Sequence, residues 1–425
     1  MKLSLVGRWS MALFASLALG LGMTACGGGT IGYMWVLGQQ YNQIAGFKVD
    51  QYTGNLTQVP GAPFASNGSV PISLVIKSGG RYIYVINQGT GGNSAKAGAG
   101  QTIALYSVGG DGALTFQQSY QSQGYVSQWA QMDTSGTYLY VLDKYSPGKD
   151  PMSGLYNAAN TDGNGSITVF SSDPNTGRLS LVTNAQTQVA GVNTPFWEVG
   201  PAPIMTKSQG GCVFTVNTGT TNGTQTITPL SVGANGQLIF ETTGNITINP
   251  TTSTPTNITS INGAGSYIFL TDAANNVLYG YTQGGSCGLN ALNGGTTNLA
   301  TYFPKTSNPV YSLVDTTGKY IYVLNQSTTS TVTTTSYSTI SPLSINPSNQ
   351  ELQPIGSTTY TVGSGPVCMV EDPTSQYVYA STHNDGAVTG KSINSTTGEL
   401  APLTKGSTFT ATGLAGCLAI SGSID

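Results

Sequence analysis

One histidine could provide a catalytic base. His383 is the only histidine of the 425-residue chain, and it directly precedes Asn-Asp-Gly at 384–386. Imidazole titrates near neutral pH, so histidine is well suited to take a proton from water during hydrolysis. Asp385 or Glu371 could assist it as a carboxylate partner. The alternative is that a solitary loop histidine has no special role. Its isolation excludes a zinc site built from several histidines, and we expect no metal and no cofactor.

A second set of polar residues recurs where similar hydrophobic stretches end. RYIYVINQGT (81–90) and KYIYVLNQST (319–328) are nearly identical in sequence, and other hydrophobic stretches also end in a polar residue. The terminal polar residues are Asn87, Asp143, Asn217, Asp272 and Asn325. They could form a ring that binds a ligand. The alternative is that each starts a turn by hydrogen bonding to its own backbone.

The composition narrows the classes of partner. Charged residues make up 7% of the chain, the net charge is −3, and the 14 basic residues are scattered. Without a basic stripe, nucleic acid is a poor partner. The 23 Tyr and 11 Phe indicate a folded chain rather than a disordered one.

The N-terminus is typical of an export signal. Lys2 and Arg8 precede an uncharged, mostly apolar run at 9–23 that is too short for a membrane span. MTAC at 23–26 resembles a bacterial lipobox, whose cysteine becomes the lipidated first residue. We therefore predict a signal peptide at 1–25 and a lipidated tether at 26–32, beginning with Cys26. The protein would be anchored to the bacterial cell envelope, at the outer membrane or cell surface because Gly27 follows the cysteine. Ordinary signal cleavage is the alternative.

The hydrophobic stretches form a sevenfold repeat. They are GYMWVLG (32–38), RYIYVIN (81–87), TYLYVLD (137–143), GCVFTVN (211–217), SYIFLTD (266–272), KYIYVLN (319–325) and QYVYAST (376–382). A second series follows: TGNL (53–56), DGAL (111–114), TGRL (176–179), NGQL (235–238), SCGL (286–289), NQEL (349–352) and TGEL (397–400). Alternation with period two and Gly-bearing turns predict antiparallel strands and hairpins.

Each repeat reads as four strands, a to d, which is typical of a propeller blade. The first repeat lacks strand a, and GCLAISGS at 416–423 supplies a strand a without a blade. Joining them closes the ring and removes both exposed edges, which a solenoid would retain. The sequence therefore predicts an all-β, seven-bladed β-propeller over 33–425 with a 3+1 closure, expected to be a monomer.

The sequence of the repeats resembles that of the lactonase-type seven-bladed propellers, which include 6-phosphogluconolactonase and YVTN-repeat surface proteins. The Y-[IL]-Y-V-x-[ND] segments, the TG-x-L turns and DPTSQYVYAS (372–381) carry the resemblance. It implies lactone hydrolysis, with P-x-H before the a–b turn and Asn-Glu after strand b. The matching positions are assigned to Gln128, Tyr311 and the pair Asn325–Gln326, so the implied base and carboxylate are not matched.

Blade adjacency predicts the disulfides. Apart from Cys26 there are four cysteines, which allow three pairings. Cys212 and Cys287 fall on one face in neighbouring blades, and Cys368 and Cys417 occupy equivalent places on strand a across the closure. Only the pairings 212–287 and 368–417 link adjacent blades. Four free buried thiols are the alternative.

Loop lengths distinguish the two faces of the predicted ring. The b–c loops at 88–101, 144–165, 218–225 and 326–338 and the d–a loops at 183–200 and 242–256 are long, whereas the a–b and c–d turns are short. We call these the loop face and the turn face. Function is expected at the channel mouth on the loop face. Two classes remain open: a hydrolase acting on a small lactone or ester, and a non-catalytic module that binds a glycan, peptide or partner protein.

Overall fold

Seven antiparallel sheets surround a central channel in the computed structural model. It describes residues 29–148, 163–189, 192–218, 223–241, 244–249, 254–304, 308–327 and 338–422. Strands are numbered in chain order, and within a blade they are lettered a to d from the channel outward.

Blades 1 to 3 are built as follows. Blade 1 contains β1 (Thr30–Gly38), β2 (Gln43–Asp50), β3 (Leu56–Gln58), β4 (Phe64–Ala65) and, as its strand a, β35 (Ala415–Gly422). Blade 2 contains β5 (Pro71–Ile76), β6 (Tyr82–Asn87), β7 (Thr102–Val108) and β8 (Leu114–Tyr120). Blade 3 contains β9 (Tyr125–Met132), β10 (Tyr138–Tyr145), β11 (Asn164–Ser172), β12 (Leu179–Leu181) and β15 (Trp197–Pro201), with the hairpin β13 (Asn184–Val189) and β14 (Val192–Thr194).

Blades 4 to 7 repeat the plan. Blade 4 contains β16 (Thr206–Gln209), β17 (Cys212–Thr218), β18 (Gln225–Val232), β19 (Leu238–Phe240) and β20 (Ile246–Ile248). Blade 5 contains β21 (Ile258–Ala264), β22 (Tyr267–Asp272), β23 (Val277–Gln283) and β24 (Leu289–Asn298), followed by the short helix α1 (Leu299–Tyr302). Blade 6 contains β25 (Pro309–Val314), β26 (Tyr320–Asn325), β27 (Thr339–Ile345), β28 (Leu352–Pro354) and β29 (Tyr360–Thr361). Blade 7 contains β30 (Pro366–Glu371), β31 (Tyr377–Thr382), β32 (Ala387–Ile393), β33 (Leu400–Pro402) and β34 (Thr408–Thr410).

The predicted 3+1 closure is confirmed. β35 pairs antiparallel with β1, with Leu418 opposite Val36 and Ser421 opposite Tyr33. β1 begins at Thr30, inside the range that the sequence assigned to the tether, and the carbonyl of Gly29 accepts a hydrogen bond from the amide of Gln51. The predicted signal peptide and Cys26 lie outside the described residues.

The outer strand differs from the simple four-strand prediction in five blades. There it is broken into two segments, so β4, β15, β20, β29 and β34 form a fifth strand that pairs with strand c. In blade 1, β3 pairs with the end of β2 and β4 with its beginning, so both segments follow one edge. The outermost edge of a blade packs on one side only, which leaves room for such interruptions.

Strand b carries the core because it has a neighbour on each side. In blade 1, Trp35 and Leu37 are fully buried and pack with Ile83 and Val85 of blade 2. Alternate side chains of one strand face the two neighbouring blades. This explains why consecutive residues of the repeats are apolar.

The two repeat series contact each other across blade junctions. Tyr84 of blade 2 donates through its hydroxyl to the carbonyl of Gly177 in blade 3, at 2.6 Å. The equivalent hydroxyls of Tyr322 and Tyr379 reach the carbonyls of Gly398 and Gly54, and the indole of Trp35 reaches Gly112. We call each such bond a junction bond. It binds a strand-b aromatic residue to the c–d turn of the next blade.

The residue at the acceptor position has the left-handed conformation in all seven turns, including the three that accept no junction bond. Five are glycines, with φ between +65° at Gly177 and +84° at Gly112, and the others are Cys287 at +55° and Gln350 at +60°. A Cβ on Gly177 would lie 2.6 Å from the ring of Tyr82. Glycine is therefore favoured both by the backbone conformation and by the aromatic ring that covers it.

Between blades 4 and 5, a disulfide takes the place of the junction bond. Phe214 of blade 4 has no hydroxyl to donate. Cys212, two residues earlier, is bonded to Cys287 at the turn position of blade 5, with a Cα–Cα distance of 5.6 Å. Cys368 and Cys417 are bonded across the closure at 5.1 Å. These are the two pairs that blade adjacency predicts.

Candidate active site

Strand a of each blade lines the channel, and one equivalent position forms its narrow middle. Trp129 pairs with Leu142 and Tyr311 with Leu324, each the residue before the strand-b terminal position. Met205 and the Cys368–Cys417 disulfide join them, and these residues border both halves of the channel. We call this layer the waist.

The register corrects one sequence assignment. The position equivalent to Tyr311 in blade 3 is Trp129, not Gln128, because β9 carries an irregularity between its partners of Leu142 and Asp143. The positions where the lactonase pattern implies histidine therefore hold two aromatic residues. The sequence YVSQWAQMD lacks the proline that precedes Tyr311 by two residues in blade 6, so the position of this irregularity could not be predicted.

The loop-face half of the channel is a cavity of about 440 Å³ above the waist. Its floor is Trp129, Met205, Tyr311 and the disulfide, and its wall includes Gln39, Thr259, Gln326, His383 and Asn384. Burial raises the pKa of Tyr311 to about 12, so its hydroxyl stays neutral. Within the described residues, the lining contains no Asp, Glu, Lys or Arg. The cavity suits an uncharged polar ligand.

His383 lies in the wall of this cavity and is half-buried. It follows strand b of blade 7, and its Nδ1 is 3.0 Å from the carbonyl oxygen of Ala415. A carbonyl can only accept, so this contact assigns the proton to Nδ1 and leaves the lone pair on Nε2. That tautomer can accept a proton.

The two predicted carboxylate partners do not join it. The prediction that Glu371 assists His383 is wrong. Glu371 pairs with Val378, whereas Pro366 at the other end of β30 pairs with Thr382 beside the histidine. Five residues of strand place Glu371 about 17 Å away on the turn face. Asp385 is close in sequence, but its carboxylate accepts from the amide of Ser364. No hydrogen bond joins it to His383 in the described part of the chain.

Glu371 has a different environment. Its carboxylate accepts from the amide of Thr316 at 2.7 Å, in the neighbouring a–b turn of blade 6. Burial raises its pKa to about 7 despite that hydrogen bond. It therefore joins two blades at the turn face.

The predicted polar ring of Asn87, Asp143, Asn217, Asp272 and Asn325 is buried inside the blades. None of these side chains is more than 2% exposed, and none lines either half of the channel. The prediction that they bind a ligand in the channel is therefore wrong. Each strand-b end packs beneath the loops rather than into the channel.

Their hydrogen bonds connect neighbouring segments. Asn87 donates to the carbonyl of Ser66 and to the hydroxyl of Thr102, both at 3.0 Å. Asp272 accepts from the amides of Ala274 and Asn275, which is the predicted turn-starting role. These residues fix the loops around the cavity.

Asp143 is fully buried and accepts hydrogen bonds from several donors. The hydroxyls of Ser122 and Ser127 donate to it at 2.8 and 2.7 Å, and the amide of Gly124 at 3.2 Å. Complete burial nevertheless raises its pKa to about 7. It is a structural acid rather than a catalytic one, because it has no access to the channel.

Comparisons with known proteins agree with this architecture. The family described as "Lactonase, 7-bladed beta-propeller" matches residues 277–416, which cover most of blades 5 to 7. The chain is a seven-bladed β-propeller whose C-terminal third matches this lactonase family. A search of curated protein sequences finds no match.

Several solved structures share this propeller fold. The periplasmic gluconolactonase of Pseudomonas aeruginosa is 14% identical with a TM-score of 0.65, covering 93% of this chain and 100% of its own. A Bacteroides fragilis protein assigned as a 6-phosphogluconolactonase is 13% identical with a TM-score of 0.64, covering 92% and 98%. Identities this low show the fold alone.

No helix among the residues that the structure describes is long and apolar enough to cross a membrane. Within the same residues, no cluster of three or more His, Cys, Asp or Glu side chains could hold a metal.

Proposed function

We propose that the protein is an exported lactonase that hydrolyses a small, uncharged lactone in the loop-face cavity, with His383 as general base. The observation that carries this proposal is the orientation of His383. Its Nδ1 is held by the carbonyl of Ala415 in the wall of the cavity, which leaves Nε2 able to accept a proton.

The reaction follows general-base chemistry. Nε2 of His383 removes a proton from water as the water oxygen attacks the lactone carbonyl. The tetrahedral intermediate then expels the ring oxygen, which takes the proton back, and the product is a hydroxy acid. The side-chain amides of Gln326 and Asn384 and the neutral hydroxyl of Tyr311 are donors in the same cavity that could stabilise the oxyanion.

The expected substrate is unphosphorylated. A phosphate group in a closed site is usually met by Arg or Lys, and the described lining contains neither. The name of the periplasmic gluconolactonase also supports an exported enzyme for a sugar lactone.

A lactone panel with wild type and His383→Gln tests the proposal. The variant should lose about 10²–10⁴-fold in kcat after subtraction of spontaneous hydrolysis, because glutamine retains polarity but cannot act as the base. Asp385→Asn is the matched control in the same loop and should retain turnover. Turnover unchanged in His383→Gln would refute the histidine as base, and no turnover of any lactone by wild type would refute the enzyme.

The second candidate function is non-catalytic binding of a glycan, peptide or partner protein. Aromatic residues at the waist, Trp129 and Tyr311, and Gln326 at the end of strand b favour it, because they replace the base and acid of the lactonase pattern. Saturable quenching of Trp129 fluorescence by cell-wall oligosaccharides, without turnover of any lactone, would support it.

The proposed location is the cell envelope, through a lipid on Cys26. Gly29 is bonded to Gln51 at the c–d turn of blade 1, so the chain enters the propeller on the turn face. Three residues span at most about 10 Å, which would hold the turn face near the membrane and direct the loop-face cavity away from it. Cys26→Ser should move the protein from the membrane fraction to the soluble fraction. Retention in the membrane fraction would contradict the anchor.

A further inference from the structure

The channel has a second half, below the waist, with its own chemistry. This turn-face cavity is also about 440 Å³. Ser78 and Thr134, both exposed, line its opening, and Trp129 and Tyr311 form its inner end. No step of the proposed hydrolysis uses it.

A ring of equivalent strand-a residues lies two positions below the waist. Each member pairs with the second aromatic position of its own strand b. In four blades it is apolar: Ala419, Val75, Leu313 and Val370. In three consecutive blades it is polar: Gln131 opposite Tyr140, Lys207 opposite Phe214, and Asn262 opposite Phe269. Lys207 is thus flanked by an amide from each neighbouring blade.

The hydrogen bonds of the two amides leave the NH₂ group of Gln131 as a donor for a ligand. The Gln131 side-chain oxygen accepts from the amide of Ser208, which leaves its NH₂ group for other partners. Asn262 donates one hydrogen to the carbonyl of Ser312, and its oxygen accepts from the amide of Gly263. The second hydrogen of its NH₂ group is directed at the Tyr311 hydroxyl, so a ligand would share that hydrogen with Tyr311.

The positive charge of Lys207 is not neutralised by the described residues around it. The other ionisable groups in the lining are Asp133 and Tyr311. Asp133 accepts hydrogen bonds from the amides of Thr137 and Tyr138, both at 2.7 Å, and so stabilises the a–b turn of blade 3. Desolvation lowers the pKa of Lys207 to about 8, so the amine still carries its charge at neutral pH. An unpaired, desolvated ammonium flanked by NH donors favours an anion.

We propose that Lys207, with Gln131 and Asn262, forms a binding site for a small carboxylate in the turn-face half of the channel. The planar carboxylate would accept from the ammonium and from one or both amides. The polar groups of Ser73 and Ser78 in the same lining would accommodate a hydroxylated chain. The site is separate from the loop-face cavity and does not depend on hydrolysis there.

Calorimetric titration with D-gluconate and acetate tests this site, with methyl α-glucoside as the uncharged probe. Wild type should bind both carboxylates, and Lys207→Met should weaken binding by about tenfold or more, since a charge-assisted hydrogen bond is lost. Lys96→Met, on an exposed loop outside the channel, is the matched control and should bind like wild type. Trp129 fluorescence provides a second readout because this residue lines the cavity.

The pH dependence and a second variant complete the test. Carboxylate binding should weaken above pH about 8, as the amine loses its proton. If Lys207→Met does not fold, the double variant Gln131→Leu/Asn262→Leu should weaken binding by about threefold or more while keeping the lysine. Equal affinity for the glucoside, or carboxylate affinity unchanged in the Lys207→Met protein, would overturn the site.

Discussion

Replacing Gly398 by Ala should destabilise the propeller much more than the same replacement at the equivalent Gln350. Gly398 has φ of +74°, and a Cβ there would lie 2.5 Å from the ring of Tyr320. Its carbonyl also accepts the junction bond from Tyr322 at 3.1 Å. Alanine would therefore strain the backbone and displace the aromatic pair.

The expected cost follows from these contacts. The left-handed conformation costs an L-residue about 1–2 kcal/mol. Loss of the junction bond from the buried Tyr322 hydroxyl costs about 1–3 kcal/mol. The smaller conformational freedom of unfolded alanine returns about 0.4–1 kcal/mol. The free energy of unfolding should fall by about 2–4 kcal/mol.

Gln350→Ala is the matched control. Gln350 already has φ of +60° with a side chain in place, and Phe269, the aromatic residue of blade 5 at the junction, has no hydroxyl. Its unfolding free energy should change by less than about 0.5 kcal/mol. Urea unfolding followed by tryptophan fluorescence measures both variants. Equal stability of the Gly398→Ala protein and wild type would refute the role assigned to the junction bonds.

Two further predictions concern buried ionisable groups. Asp143 has its pKa raised from 3.8 to about 7, so the unfolded state binds fewer protons between these values and stability falls as pH rises through that window. Asp143→Asn, which introduces the residue of blades 2, 4 and 6, should reduce that slope in unfolding measured from pH 4 to 7 to the part that Glu371 still contributes, and an unchanged slope would contradict the assignment. Lys391 is 7% exposed at the strand-c position that Leu343 fills in blade 6, and burial lowers its pKa. Lys391→Leu should raise the unfolding free energy at pH 7 by about 1 kcal/mol, because an ammonium no longer has to be desolvated, and a less stable variant would show that the amine is compensated.

The fold could be predicted from the sequence because each blade repeats a local pattern. The alternation in RYIYVIN and the glycine in TGRL report strand burial and a left-handed turn, both of which depend on a few adjacent residues. The 3+1 closure could also be predicted, because the chain has one unpaired strand at each end and these two strands can pair only with each other. The broken outer strands were missed, since an edge that packs on one side imposes no pattern.

The channel was harder to predict because it depends on register rather than on residue type. A shift of one residue in β9 decides whether Gln128 or Trp129 reaches the waist. The polar ring shows the same limit: Asn87 and Asn325 end their strands as predicted, but the pleat turns their side chains into the blades. Lys207 gave no signal because its neighbours Gln131 and Asn262 are 76 and 55 residues away in sequence.

The position of β35 determines when the propeller can be completed during synthesis of the chain. Until residues 415–422 arrive, blade 1 has an open inner edge on β1, and Cys368 has no partner. A chain that folds as it is synthesised would therefore hold six finished blades and one unfinished blade until its last strand is made. β35 is thus the strand that completes the ring, and the disulfide between Cys368 and Cys417 can hold the ring closed only when both strands are present.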